Sequence, residues 1–163
     1  MSVLLPVYIS GAISIIGVFI SVMLTWYLNT RANKLRAKIQ TTLEMHKYFQ
    51  SITSHRIKAV EILERQLRPD EEREYQSLRG CMAADDWQHI SITRHFFTEL
   101  TLLHYAERLD SDLARKLFSA NFMYWHHRYF RRLKVNPYGI EEGTGIHIPS
   151  DKIASWLGKE SSR

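Results

Sequence analysis

The stretch VLLPVYISGAISIIGVFISVMLTWYL, residues 3–28, contains no Asp, Glu, Lys, Arg or His and decides how the rest of the chain is read. As a helix its 26 residues would run about 39 Å at roughly 1.5 Å per residue, enough to cross a hydrocarbon core of about 30 Å with some tilt. Pro6 stands near the start, where a missing N–H costs little. Tyr8 near one end and Trp26 and Tyr27 at the other suit the two interfacial aromatic belts. A cleaved secretion signal would need a positively charged start, a shorter apolar core and a small-residue cleavage site. The segment has none of these, so the sequence predicts a retained transmembrane helix over residues 3–28.

Orientation follows from the next charges. Arg31, Lys34, Arg36 and Lys38 crowd the far end of the apolar run, and only the terminal amine precedes it. The positive-inside rule then predicts a single-pass protein of the bacterial inner (plasma) membrane, N-terminus outside and C-terminal domain cytoplasmic. The same four cations could touch anionic headgroups, at about 1 kcal/mol each near the surface. Within the run, Ser10, Ser14, Gly17 and Ser21 recur at helical spacing and line one face. Small residues let backbones approach and hydroxyls bond across helices, so this stripe predicts a packing seam for a second span.

The remaining chain has ordinary soluble composition. One cysteine, Cys81, cannot make an intrachain disulfide, and a net charge of +5 in 163 residues is modest. Gly and Pro are scarce until residue 135, and apolar residues recur every three to four positions. Leu35, Ile39, Leu43, His46 and Phe49, then Val60, Leu63 and Leu67, predict a long helix leaving the membrane. Ser51–Ser54 is its weakest part and the expected break. The row spans fewer than three clean heptads, which favours packing on its own domain over a coiled coil.

Pro69-Asp70 stops one helix and starts another, which ends near Gly80 to Asp85. A third helix from about Asp86 to Arg108 is apolar on most faces and should be the most buried. Leu109-Asp110-Ser111-Asp112 has N-cap chemistry in a short connection and predicts a helical hairpin. The fourth helix, Asp112 to Lys134, leads into a Gly-, Glu- and Pro-bearing tail with a short last helix. The expected fold is therefore all-α, a transmembrane helix continuing into a cytoplasmic bundle of about four helices. Its domains are the span at 3–28, the helical domain at 29–134, and a loop with a short helix at 135–163.

The run Arg94-His95-Phe96-Phe97-Thr98-Glu99-Leu100, the turn Arg108-Leu109-Asp110-Ser111-Asp112-Leu113-Ala114, then Leu117-Phe118 and Tyr124-Trp125, form a pattern. Over residues 35–134 it resembles an uncharacterised bacterial domain family of small proteins with one N-terminal transmembrane helix and a helical cytoplasmic domain. The resemblance implies an architecture and no catalytic residue.

Candidate chemistry is sparse. Asp86, His89, His95, Glu99 and His104 are the best metal or acid–base constellation, with Asp86/His89 and His95/Glu99 at one-turn spacing. No His-Glu-x-x-His unit and no second Glu-x-x-His unit completes it, so no metal and no cofactor is assigned. Glu99, between Phe97 and Leu100, reads as a buried carboxylate wanting a partner, with Arg115, Arg128 and Arg131 on the next helix available. Trp125, Arg128, Tyr129, Arg131, Arg132 and Lys134 interleave aromatics with cations and read as a binding surface. Gly-Thr-Gly at 143–145 lacks a following Walker lysine, which disfavours nucleotide hydrolysis, and no Gly-x-Ser-x-Gly elbow exists.

These readings favour a non-enzymatic, membrane-anchored interaction or scaffold protein that self-associates or docks a partner at the cytoplasmic face. Its partners would be the bilayer and a second copy or another membrane protein, with nucleic acid disfavoured. By analogy, a prophage or defence role suits small anchored proteins. Two alternatives stay open: a membrane-tethered hydrolase using Glu99 with His95 or a metal, and an oligomeric pore-forming effector.

Overall fold

The computed structural model describes the backbone of residues 4–67, 75–133 and 150–158, and side-chain surroundings for 17–67, 77–133 and 153–158. Every regular element among the described residues is helical: α1 Leu4–Ser51, α2 Thr53–Gln66, α3 Tyr75–Gly80, α4 Ala84–Tyr105, α5 Ser111–Trp125, a π-helical turn His126–Phe130, and α6 Ser150–Gly158. The chain divides into two compact units, Met1–Ala37 and Lys38–Arg163.

The first unit is the N-terminal part of α1. Its side chains from Val18 to Leu28 are exposed, and Thr25 and Thr30 donate to the carbonyls of Ser21 and Trp26, both at 2.8 Å. Among the described residues no helix is long and apolar enough to cross a membrane. The expected span overlaps that set only in part: Ser10 and Ser14 lie outside the side chains described, whereas Gly17 has open space around it and Ser21 is exposed. Arg31, Lys34 and Arg36 are exposed and Lys38 is half-buried.

In the second unit α1 turns Thr42, Met45 and Phe49 inward. Leu35, Ile39 and Leu43, expected to pack, are 52%, 36% and 44% exposed. The buried stripe includes a threonine because its hydroxyl is satisfied at both ends. Thr42 Oγ1 donates to Lys38 O at 2.8 Å and accepts the Asp110 N–H at 2.9 Å. A helical pattern scored on apolarity alone misses such a position.

The long helix breaks at Ile52 (φ −92°, ψ 15°). Two hydroxyls compete for backbone there: Ser51 Oγ donates to Tyr48 O at 2.8 Å and Thr53 Oγ1 to Gln50 O at 2.7 Å. Such local side-chain bonds offer the backbone an alternative to the regular ladder. Ile52 itself stays buried, so the break keeps the core continuous.

α2 packs against α4, and α5 against α6. Asp85 and Asp86 occupy the first turn of α4, where the helix dipole favours them. α4 ends in a left-handed residue, Glu107 (φ 53°), with Arg108 N–H reaching back to Leu103 O at 2.9 Å. Asp110 then caps α5 through Oδ1, which accepts from Leu113 N–H at 2.8 Å.

The core is an aromatic stack. Phe97 of α4 lies 5.2 Å from Phe96, 5.5 Å from Phe122, 5.6 Å from Phe130 and 6.2 Å from Phe49, all within the range of edge-to-face pairing. Ile153 and Leu157 bring α6 into the same cluster. α4 is less uniformly buried than its composition suggests, since Leu102 and Tyr105 are 41% and 45% exposed.

Candidate functional site

Three side-chain clusters in the second unit concentrate polar chemistry. The first joins α2 to the π-helical turn. Arg128 grips Glu64 with two nearly parallel bonds, Nε to Oε1 at 3.0 Å and Nη2 to Oε2 at 3.2 Å. Tyr129 Oη donates to the same Oε1 at 2.7 Å and lies 3.3 Å from Tyr124 Oη. The guanidinium bonds, followed by the Tyr129 hydroxyl, hold the Glu64 carboxyl below its ordinary value, and Arg128 is pushed up by the same pairing. Burial first, then the Tyr124 and Glu64 contacts, push the Tyr129 phenol far up, so it stays neutral.

The π-helical turn explains a correction. Arg131 N–H bonds His126 O at 3.1 Å, five residues back, which widens the helix by one residue. Trp125, His126, Tyr129, Phe130 and Leu133 are all buried. Trp125 and Tyr129 therefore belong to the core, not to an aromatic–cationic surface. Of the cations expected beside them, Arg128 is spent on Glu64, Arg131 is exposed, and Arg132 is half-buried with Nη1 3.5 Å from Arg128 O. Lys134 and the Gly-Thr-Gly at 143–145 lie outside the described residues.

The second cluster is a groove of about 410 Å³ between α1 and α4, lined by Thr41, Glu44, Met45, Tyr48, Glu99 and Leu103. Glu99 is half-buried at its wall and makes no ion pair among the described residues. The arginines expected for it are elsewhere: Arg115 is 3.3 Å from Asp112 and Arg128 is on Glu64. Burial and then the nearby Glu99 carboxylate raise the Tyr48 phenol. His95, one turn away, is exposed.

The third cluster was not legible from local spacing. His55 of α2 and His89 of α4, 34 positions apart, place their Nδ1 atoms 2.9 Å from one another, with ring centroids 4.8 Å apart and planes tilted by 41°. His89 thus leaves the expected group on α4. His104 leaves it too, stacked on Trp156 of α6 at 3.5 Å and 14°, its pKa lowered by burial and then by Arg115. Among the described residues no three His, Cys, Asp or Glu side chains gather to hold a metal. Cys81 is free and exposed.

No family model, no curated protein and no solved structure matches the chain.

Proposed function

We propose that this chain is a membrane-anchored helical interaction module, whose N-terminal helix sits in the bacterial inner membrane and whose helical domain docks partners on the cytoplasmic side. The observation that carries the reading is the first unit. In a helix uninterrupted from Leu4 to Ser51, every large apolar side chain from Val18 to Leu28 is between 49% and 66% exposed. Apolar surface of that density is costly in water, at roughly 25 cal/mol per Å². Residues 3–17 extend it with no charge, and Arg31, Lys34 and Arg36 stand exposed beyond it, as an anchor with the positive-inside signature requires.

Self-association through the face that carries Gly17 and Ser21 is the second part of the reading. Ser21 shares a shallow concavity with Val22, Thr25, Trp26 and Asn29, the relief into which a neighbouring helix could settle. An interaction role also suits the family resembled in sequence.

Cys81 supplies the test. A membrane-impermeant maleimide should label it in permeabilised cells and not in intact spheroplasts, and alkaline carbonate should leave the protein in the pellet. Extraction by carbonate would sink the anchor, and labelling in intact spheroplasts would sink the orientation. Gly17→Leu with Ser21→Leu should weaken association in a membrane two-hybrid assay, and an unchanged signal would remove the self-association.

A further inference from the structure

We propose that His55 and His89 form a binding site for a divalent transition-metal ion of the zinc class, held between α2 and α4 with water completing its coordination. The two Nδ1 atoms face each other at 2.9 Å from different helices, and neither imidazole makes another side-chain hydrogen bond among the described residues. A bond between two imidazoles needs opposite tautomers and satisfies one lone pair. An ion between them satisfies both.

The geometry is close to what a metal requires. Zinc–imidazole bonds of about 2.0–2.1 Å at a tetrahedral angle set two nitrogens roughly 3.4 Å apart. The present spacing needs to open by about half an ångström, within reach of small χ rotations. The helices that carry the rings pack against each other, so the two ligands are brought together before any ion arrives. On binding, the one Nδ1 proton is displaced and Nε2 takes it up from solvent, leaving both rings neutral.

The surroundings suit a cation. Asp85 and Asp86 lie one turn before His89 on the same helix, adding negative potential on that side. The neighbouring Arg56 guanidinium is turned away, 3.6 Å over the Phe49 ring, with Nη2 bonded to Thr53 Oγ1 at 2.9 Å. Two imidazoles select borderline metals over magnesium or calcium, which demand oxygen ligands.

The test uses the full chain in detergent, stripped with chelator and titrated with Zn²⁺ by calorimetry. One equivalent should bind saturably, with Mg²⁺ failing to compete, and His55→Ala or His89→Ala should weaken binding by about tenfold or more. His95→Ala, at an exposed position of α4, should leave it unchanged. X-ray absorption on the zinc-loaded wild-type chain should show imidazole scattering, a readout independent of whether the variants fold. Absence of saturable binding, binding unaffected by both alanine variants, or a zinc shell without imidazole would each overturn the site.

Discussion

Thr42 holds the start of α5 from inside α1. Its buried hydroxyl accepts the Asp110 N–H at 2.9 Å, while the Asp110 carboxylate caps the helix by accepting from Leu113 N–H. One residue thus has its backbone satisfied by a threonine 68 positions earlier and its side chain satisfied within its own turn. Thr42→Val keeps the shape and removes the acceptor, leaving a buried N–H without a partner at a cost of about 1–3 kcal/mol. The urea midpoint should fall accordingly, and Thr42→Ser should recover part of the loss. A valine variant as stable as wild type would show that water replaces the hydroxyl.

Glu107 is the one non-glycine residue with positive φ among the described residues, at 53°. A Cβ in the left-handed region costs about 1 kcal/mol, and the position ends α4 where glycine is the usual choice. Its side chain is exposed and has no bond to lose. Glu107→Gly should therefore stabilise the fold by roughly 0.5–1 kcal/mol, net of the added freedom in the unfolded chain. Thermal unfolding reads this directly, and a lowered midpoint would count against the strain.

The Glu64 cluster gives an acid dependence. Arg128 and Tyr129 lower the Glu64 pKa below 4.5, so the unfolded chain takes up the proton first. The contribution is complete above 4.5 and is lost as pH falls through the lowered folded value. The difference in urea midpoint between wild type and Glu64→Gln should shrink between about pH 5 and pH 2. Arg128→Ala should cost less than Glu64→Ala, because the exposed ion pair is solvent-screened whereas Glu64 also satisfies the buried Tyr129 hydroxyl.

His104 works at a higher pH. Burial and Arg115 lower its pKa from 6.5, so protonation is easier in the unfolded chain. The fold should lose stability as pH drops below 6.5 and continue to do so until the folded value is passed. The ring stacked on it belongs to Trp156, so the change should concentrate where α6 docks. Hydrogen exchange in Ser150–Gly158 should speed up between about pH 7.5 and 5.5, and His104→Gln should flatten that dependence.

Much of the helical order could be read from local pattern. The weak ladder at Ser51–Ser54, the aspartate cap at 110 and the apolar rows of α2 and α5 all act within a few residues, and the break, the cap and the buried Leu63, Phe118 and Phe122 stand where they were expected. What failed was long-range. Trp125 and Tyr129 sit among cations in sequence and look exposed, but the widened turn carries both inward. Glu64 is 65 positions from Tyr129 and His55 is 34 from His89, so neither pairing leaves a trace in spacing. The carboxylate of Glu99 has no arginine because Asp112 and Glu64 engage two of the three that composition offered.

The extra residue accommodated between His126 and Phe130 also has a genetic reading. Loss of a single codon there would let the backbone close as an ordinary α-helix and would swing everything downstream by about 100°. Leu133 would leave the core and the Tyr129 phenol would be carried off its carboxylate. Amino-acid replacements of similar size in this turn should be far better tolerated than an in-frame deletion. The segment therefore constrains the length of its coding sequence as well as its composition.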